Sequence, residues 1–416
     1  MVKFAPKLTF GPEIADWQAR INTERMRRYR AERAKTMMRK HGIPALLEAV
    51  PANIRYLTAL RGYEYPMVRY VLFFAEGEPV MYEHDGWYHQ MPDQAPWIKE
   101  WRPARAWLTG APGIEASQDE AKQFAADIRG DLQARGLLGE KLALGGFDGI
   151  GREALVAAGI KNIVDSRAMM LEARSIKNED EINCLKIAAA IVEGVWHRVW
   201  EVCRPGIKDT VLGTTAATAG NEYGAEIAVP GGWRTGPTTF DRGFHQAARI
   251  MQVGDLVYGS LCGLTYMGYR TCTYRTFIVA RKPNDKEKGW YKKVLDRVSA
   301  IIEEIKPGKT TADAAKHFPP ASTWGYKEEC EVLASEVGHG IGMGGPGGNY
   351  DIPIINRQWS LKYPQTFEEG MAIAVECREG EHRVGGVRLE NMVVVTKDGA
   401  EIIDHFPRDE ILVAPR

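Results

Sequence analysis

The chain has 416 residues, too many for one ordinary domain and enough for two of about 150 to 250 residues, each with its own core. Lys plus Arg and Asp plus Glu both number 54, so no net field exists to hold nucleic acid or an anionic membrane surface. A small-molecule substrate is favoured over a polyanion, and apolar runs such as VRYVLFF fall well short of the roughly 18 residues of a membrane helix.

The opening MVKFAPKLTF lacks the apolar core of a secretion signal, and the six cysteines contain no CxxC pair. Both features predict a reduced, cytoplasmic protein. From Thr23 to His41 a basic stretch at helical spacing, ended by Gly42-Ile43-Pro44, predicts a helix with a solvated face. The short apolar runs ALLEAV, NIRYLTAL, VRYVLFF and PVMYEH follow, separated by turns, and DEAKQFAADIRGDLQARG reads as a helix. Strands alternating with helices predict a mixed α/β domain over residues 1–173.

Residues 174–416 form the second expected domain. From Met169 to Cys203 apolar residues recur at three and four after an acidic start, predicting one long amphipathic helix. Another helix follows Pro205-Gly206, then the Gly-, Pro- and aromatic-rich VPGGWRTGPTTFDRGFH and the hairpin GDLVYGSLCGLTYMGYRTCTYRTFIV. A helix near Lys286 to Ile305 leads to strands around Gly338-His339-Gly340-Ile341-Gly342, MAIAVEC and VRLEN.

In their order and spacing, SIKNEDEINCLKIAA, KPGKTTADAA, the GHGIG box, EEGMAIAVE, VRLENMVVVTKDG and the hairpin's GD, GY and YRTF resemble the creatinase, prolidase and aminopeptidase P superfamily. The resemblance spans most of residues 174–405, and NIRYLTAL with VRYVLFF extends it loosely into the first half. It implies an α+β fold, a pita-bread C-terminal domain preceded by a smaller α/β creatinase-type domain. It also implies a homodimer in which the N-terminal domain of one protomer lies near the partner's active site.

Family members of the peptidase type hold two metal ions with two aspartates, a histidine and two glutamates. Carried over by position, His339, Glu376 and Glu390 fill three of these places. Ser260 stands at the first aspartate and Cys272 at the second, twelve residues apart where the family has eleven, so an extra residue is expected around Leu264 to Met267. With the gap elsewhere, Thr271 takes the second place, still without a carboxylate. A hydroxyl and a thiol supply no bridging oxygens, so no cofactor is expected. The alternative is a single Zn, Mn or Fe ion on Cys272, His339, Glu376 and Glu390.

Creatinase also lacks the paired aspartates and works without metal. By that resemblance His245 is the acid–base histidine, although it precedes Asp255 by ten residues rather than twelve. Tyr274 stands where creatinase has a glutamate, which argues against creatine itself. Strand alternation places Tyr274 in the pocket if Cys272 is there. The expected catalytic set is His245, His339, Glu376, Glu390 and Tyr274. Arg69, Ser260, Cys272, Tyr350 and Trp233 are expected around the substrate, Arg69 by analogy with an arginine from the creatinase partner, and Tyr350 or Pro346 where a second histidine usually stands. For each aromatic the competing reading is ordinary packing, for Arg69 a strand-edge charge, and for Cys272 a core residue.

The leading functional expectation is a metal-independent hydrolase that cleaves a C–N bond in a small organic acid or amide. The alternatives are a lyase that abstracts a carbon-bound proton, as the family's dimethylsulfoniopropionate lyases do, a metal-dependent Xaa-Pro peptidase with altered ligands, and a non-catalytic binding protein.

Overall fold

The computed structural model describes residues 2–5, 20–61, 68–241, 248–344 and 351–415. Two compact units emerge, one of Thr23–Arg174 and one that joins Met1–Asn22 to Ser175–Arg416. The first strand, β1 (Lys3–Phe4), accounts for that joining, because it pairs with Glu401 and Ile402 near the other end of the chain. The expected first domain had these residues with the sheet that follows them.

The Thr23–Arg174 unit is built on six strands among its described residues. They are β2 (Ala45–Glu48), β3 (Tyr70–Phe74), β4 (Val80–Glu83), β5 (Glu100–Pro103), β6 (Leu142–Gly145) and β7 (Ile163–Asp165), in the order β5-β4-β3-β2-β6-β7. β2 and β3 are buried along their whole length, as apolar runs rather than alternating ones require. The helix Thr23–His41 buries Met26, Arg30, Ala34, Met37 and Met38 at helical spacing and leaves its other basic residues outward. The helix Ile114–Ala134 sets Ala121, Phe124, Ala125, Ile128 and Leu132 into the core with Tyr70, Leu72 and Trp107.

Among the described residues ten strands make the main sheet of the second unit. Seven of them, β8 (Gly232–Thr235), β9 (Leu256–Ser260), β12 (Tyr274–Val279), β13 (Glu336–Gly340), β14 (Asp351–Asn356), β15 (Ala372–Glu381) and β16 (Gly385–Thr396), follow one path in the order β14-β13-β15-β16-β12-β9-β8. β1, β17 (Gly399–Ile402) and β18 (Leu412–Ala414) complete it. β10 (Thr265–Tyr266) and β11 (Tyr269–Arg270) form a separate two-stranded hairpin, turned at Met267 and Gly268, both at positive φ. Thr265 to Met267, within the stretch where an extra residue is expected, lie in this excursion.

The single helix expected from Met169 to Cys203 is two. Arg167–Ser175 ends, and Glu179–Val202 restarts on a capping box in which the Asn178 side chain accepts from Glu181 N while the Glu181 carboxylate accepts from Asn178 N. The reciprocal cap satisfies two otherwise orphaned donors and fixes the restart.

Parity along β15 and β16 sets up everything that follows. Odd-numbered residues, Ile373, Val375, Cys377, Val387, Leu389, Val393 and Val395, join Tyr291, Val294, Val298 and Ile301 of the helix Asp285–Glu304 in one buried core. Even-numbered residues therefore face the other side of the sheet, and they include Glu376, Arg388 and Glu390.

Candidate active site

Four adjacent strands put a row of polar side chains on that second face. Ser260 opposes Tyr274 across β9 and β12, Tyr274 opposes Glu390 across β12 and β16, and Glu390 opposes Glu376 across β16 and β15. Directly opposed residues have Cβ atoms about 4.5 to 5.5 Å apart, so each neighbour in the row can interact with the next. Glu390 is fully buried and Glu376 is half-buried.

His339 comes to this row from β13, whose register with β14 shifts on both sides of it. The glycine frame permits the approach: a Cβ on Gly340 would lie 2.4 Å from the Asp351 carbonyl oxygen, and one on Gly342 would lie 2.2 Å from the Asp351 carboxylate. His339 Nδ1 lies 3.1 Å from the Gly340 carbonyl. A carbonyl only accepts, so Nδ1 carries a hydrogen and Nε2 is turned to Glu390 Oε1, 3.6 Å away.

Burial and the charge of Glu376 push Glu390 up to about 7, against the pull of His339 and Arg388. Burial works to lower His339, but Glu390, Glu376 and the Gly340 carbonyl outweigh it and the net shift is upward. Each of the two groups thus acts on the other's titration, and both are moved upward. Burial, with the charges of Glu376 and Glu390, holds the Tyr274 phenol well above its ordinary value, so it stays protonated and acts as a donor.

Three residues of the site were absent from the sequence expectations. Arg388 lies with its guanidinium 4.8 Å from the Tyr258 ring centroid and 4.5 Å from that of Tyr274, donates to Tyr258 Oη at 2.9 Å, and sits 3.8 Å from Glu376. Its place two residues before Glu390 on one strand was the available signal. Cys262, two residues beyond Ser260, offered the same signal. Glu336 has a carboxylate oxygen grouped within 4.8 Å of ligand atoms of His339 and Glu376. Simple alternation places residues 336 and 339 on opposite faces, and the register shift between Glu336 and Gly338 removes that parity.

Cys272 forms a disulfide with Cys262, their Cα atoms 3.9 Å apart. This corrects the expectation of a fully reduced chain, which rested on the lack of a CxxC pair; contact across a hairpin needs no such spacing. Trp233 is corrected as well. It is buried, packs 5.6 Å from the Trp196 ring centroid and over Gly259, and donates from Nε1 to the Pro230 carbonyl, which leaves no face for a substrate. Arg69 belongs to the Thr23–Arg174 unit, buried, with its guanidinium donating to Glu83 at 2.5 Å and to the Arg61 carbonyl, an engaged core ion pair rather than a strand-edge charge. His245 and Tyr350 lie outside the described residues.

Behind the row, residues on the opposite parity fix its strands. Arg275 donates to the Glu390, Tyr274, Phe406 and Pro407 carbonyls and to Asp404, which also accepts from Asn391 Nδ2 and the Met392 amide. Trp196 Nε1 donates to Thr273 Oγ1 at 3.0 Å.

Residues 183–397 match the family described as metallopeptidase family M24, just over half of the chain. Among curated relatives, "Uncharacterized peptidase YqhT" of Bacillus subtilis is 28% identical over 58% of this chain and 65% of its own length. A Xaa-Pro dipeptidase of Pyrococcus horikoshii is 27% identical over 61% of this chain and 69% of its own. These alignments thus span about two thirds of those relatives. Dimethylsulfoniopropionate lyase DddP of Roseobacter denitrificans is 24% identical over 93% of the chain and 87% of its own length. The recombinant prolidase of Thermococcus sibiricus superposes with a TM-score of 0.75 at 22% identity, covering 93% of this chain and 98% of that one, which shows the expected pita-bread fold behind an N-terminal α/β unit. No helix among the described residues is long and apolar enough to cross a membrane.

A bridged two-metal cluster does not fit these residues. The positions where the resemblance expects its bridging aspartates carry Ser260, whose hydroxyl lies 3.3 Å from Cys262 Sγ, and Cys272, whose sulfur is bonded to Cys262. Neither offers the anionic oxygens that would neutralise two adjacent divalent ions.

Proposed function

The chain belongs to metallopeptidase family M24, and we propose that it hydrolyses a C–N bond in a small organic acid or amide through His339, Glu376 and Glu390, without a bridged pair of metal ions. The observation that supports this reading is the meeting of those three residues on neighbouring strands while Cys272, at an expected aspartate position, is tied to Cys262. Glu376, the more accessible carboxylate, takes the proton of the attacking water. The Glu390–His339 pair, both groups raised by their surroundings, returns one to the departing nitrogen. Arg388, clamped between two tyrosine rings, is a preorganised anchor for a substrate carboxylate, and Tyr274 donates a hydrogen bond. The homodimer expected from the resemblance belongs to the same proposal.

The test is turnover by chelator-treated protein across N-acyl, N-amidino and imino-dipeptide acids in labelled water. Retained turnover with one labelled oxygen in the product supports the reading, and activity that returns only with added Mn²⁺ or Zn²⁺ overturns it.

A lyase is the second reading, favoured by the alignment with the dimethylsulfoniopropionate lyase across nearly the whole chain. Elimination would leave the product without oxygen from the labelled water.

A further inference from the structure

We infer that the Cys262–Cys272 disulfide is a redox switch on the polar row: once opened, it gives Glu390 a thiol donor and slows turnover. The effect on turnover rests on the proposed hydrolysis, whereas the contact with Glu390 is read without any substrate.

The disulfide lies on the row itself. Ser260 and Tyr274 oppose each other across β9 and β12. Cys262 and Cys272 stand two residues further toward the turn on the same two chain segments, so their bond is the next rung on that face. Cys262 Sγ comes within 3.5 Å of Glu390 Oε2 and 3.3 Å of Ser260 Oγ. Exchange requires an attacking thiolate to reach one sulfur, and Cys262 is only half-buried.

A disulfide sulfur carries no hydrogen. Its approach to Glu390 is therefore a contact and not a hydrogen bond, and Oε1 of the same carboxylate also lacks a hydrogen-bond partner among the described residues. Reduction puts a hydrogen on Cys262 Sγ with a carboxylate oxygen and a hydroxyl both in range. The carboxylate is the stronger acceptor, so the thiol turns to Glu390. The proton that the Glu390–His339 pair hands to the departing nitrogen then competes with the thiol hydrogen for Oε2.

The strands do not depend on the bond. Leu261 N donates to the Thr273 carbonyl at 3.0 Å and Gly263 N to the Thr271 carbonyl at 2.9 Å, so backbone hydrogen bonds hold both sides of the pair. The hairpin beyond is tied down by Gly268 N on Glu226, Tyr269 Oη on Glu181 and Arg270 N on the Gly342 carbonyl. Opening the disulfide changes what Glu390 faces and leaves the register in place.

A small dithiol drives the step. Its thiolate attacks Cys262 Sγ, the S–S bond breaks toward Cys272, and its second thiol resolves the mixed disulfide. Two electrons and two protons pass to the chain, leaving thiols on Cys262 and Cys272 and a disulfide on the reductant. A small-molecule disulfide reverses the exchange.

The experiment uses the full chain with Cys330→Ser, which removes the exposed thiol and leaves the buried Cys184, Cys203 and Cys377. Alkylation and mass spectrometry score the Cys262–Cys272 bond before and after dithiol treatment. Infrared spectra of the reduced protein should then show an S–H stretching band at lowered frequency, absent from reduced Cys262→Ala and moved up in Glu390→Gln. With a hydrolysed substrate, reduction should lower kcat about three- to tenfold, the size of one hydrogen bond, and reoxidation should restore it. Cys262→Ala should abolish the response to dithiol, and Cys262→Ser, which keeps a donor, should turn over more slowly than Cys262→Ala. Two thiols that no small-molecule disulfide will join, an S–H band indifferent to Glu390→Gln, or equal turnover in the two redox states would each overturn the proposal. A Glu390-dependent band in a chain that hydrolyses none of the acids would sink the reaction and uphold the contact; hydrolysis indifferent to dithiol would do the reverse.

Discussion

Two sets of buried charge lie back to back on β12 and β16, and they are finished differently. On one side Arg275 spreads its guanidinium over four carbonyls and Asp404, and Asp404 takes two further donors. On the other, Glu390 keeps one carboxylate oxygen without a hydrogen-bond partner among the described residues, 3.6 Å from the His339 imidazole. A saturated network has one arrangement and holds the backbone still. An unsaturated one has somewhere to put a proton, a substrate or an ion, so the contrast separates what holds the sheet from what works on it.

The comparison breaks most visibly at Asp404. Asp404→Ala strands a buried guanidinium, and loss of one partner from such a pair costs about 3 to 5 kcal/mol. Denaturant unfolding should show a destabilisation of that order, and a shift below about 1 kcal/mol would mean that the Arg275 network does not fix these strands.

Glu390→Gln should do the opposite, costing turnover and sparing the fold. Loss of an acid–base group lowers kcat by about 10²- to 10⁴-fold. Stability supplies the sharper readout. Glu390 is raised from about 4.5 to about 7, so between those values the folded chain holds a proton that the unfolded chain has released, and stability falls as pH rises through that window. The variant should lose that downward slope and gain stability relative to the parent at pH 8; equal slopes in thermal melts at pH 5 and pH 8 would show that Glu390 is not the proton holder.

Arg388→Lys keeps the charge and loses the planar fork between Tyr258 and Tyr274, so KM for a carboxylate substrate should rise about tenfold with kcat less affected. An unchanged KM would remove Arg388 as the anchor. The smallest effect belongs to Cys330→Ser, an exposed thiol far in sequence from the hairpin, where a stability change within about 0.5 kcal/mol is expected in the same denaturant titration.

The chemistry of the working face was legible to the extent that it obeyed period two. His339, Glu376, Glu390, Ser260 and Tyr274, which the motifs single out, lie on neighbouring strands of one sheet, and Arg388 and Cys262 were available from the same alternation. Glu336 was hidden because a register shift changes the parity that a flat strand would keep. The disulfide was hidden because pairing depends on how a hairpin folds back, not on the ten residues between its cysteines. Trp233 misled because an aromatic in a Gly- and Pro-rich stretch reads as a pocket wall, and only the bare backbone of Gly259 beneath it reveals a packing slot. The break at Asn178 carried its signal in plain view, an Asn followed three residues later by Glu, and the stronger apolar periodicity masked it.

The pairing of β1 with β17 has a consequence for the order of events during synthesis. Lys3 and Phe4 emerge from the ribosome nearly 400 residues before their hydrogen-bond partners, Glu401 and Ile402. The Thr23–Arg174 unit carries its own sheet and core and can complete while the rest of the chain is still being made, whereas the sheet that bears the polar row must wait for both of its distant ends. Nascent chains halted before residue 400 should therefore protect the Thr23–Arg174 unit from protease and leave the strands that bear the polar row open to cleavage.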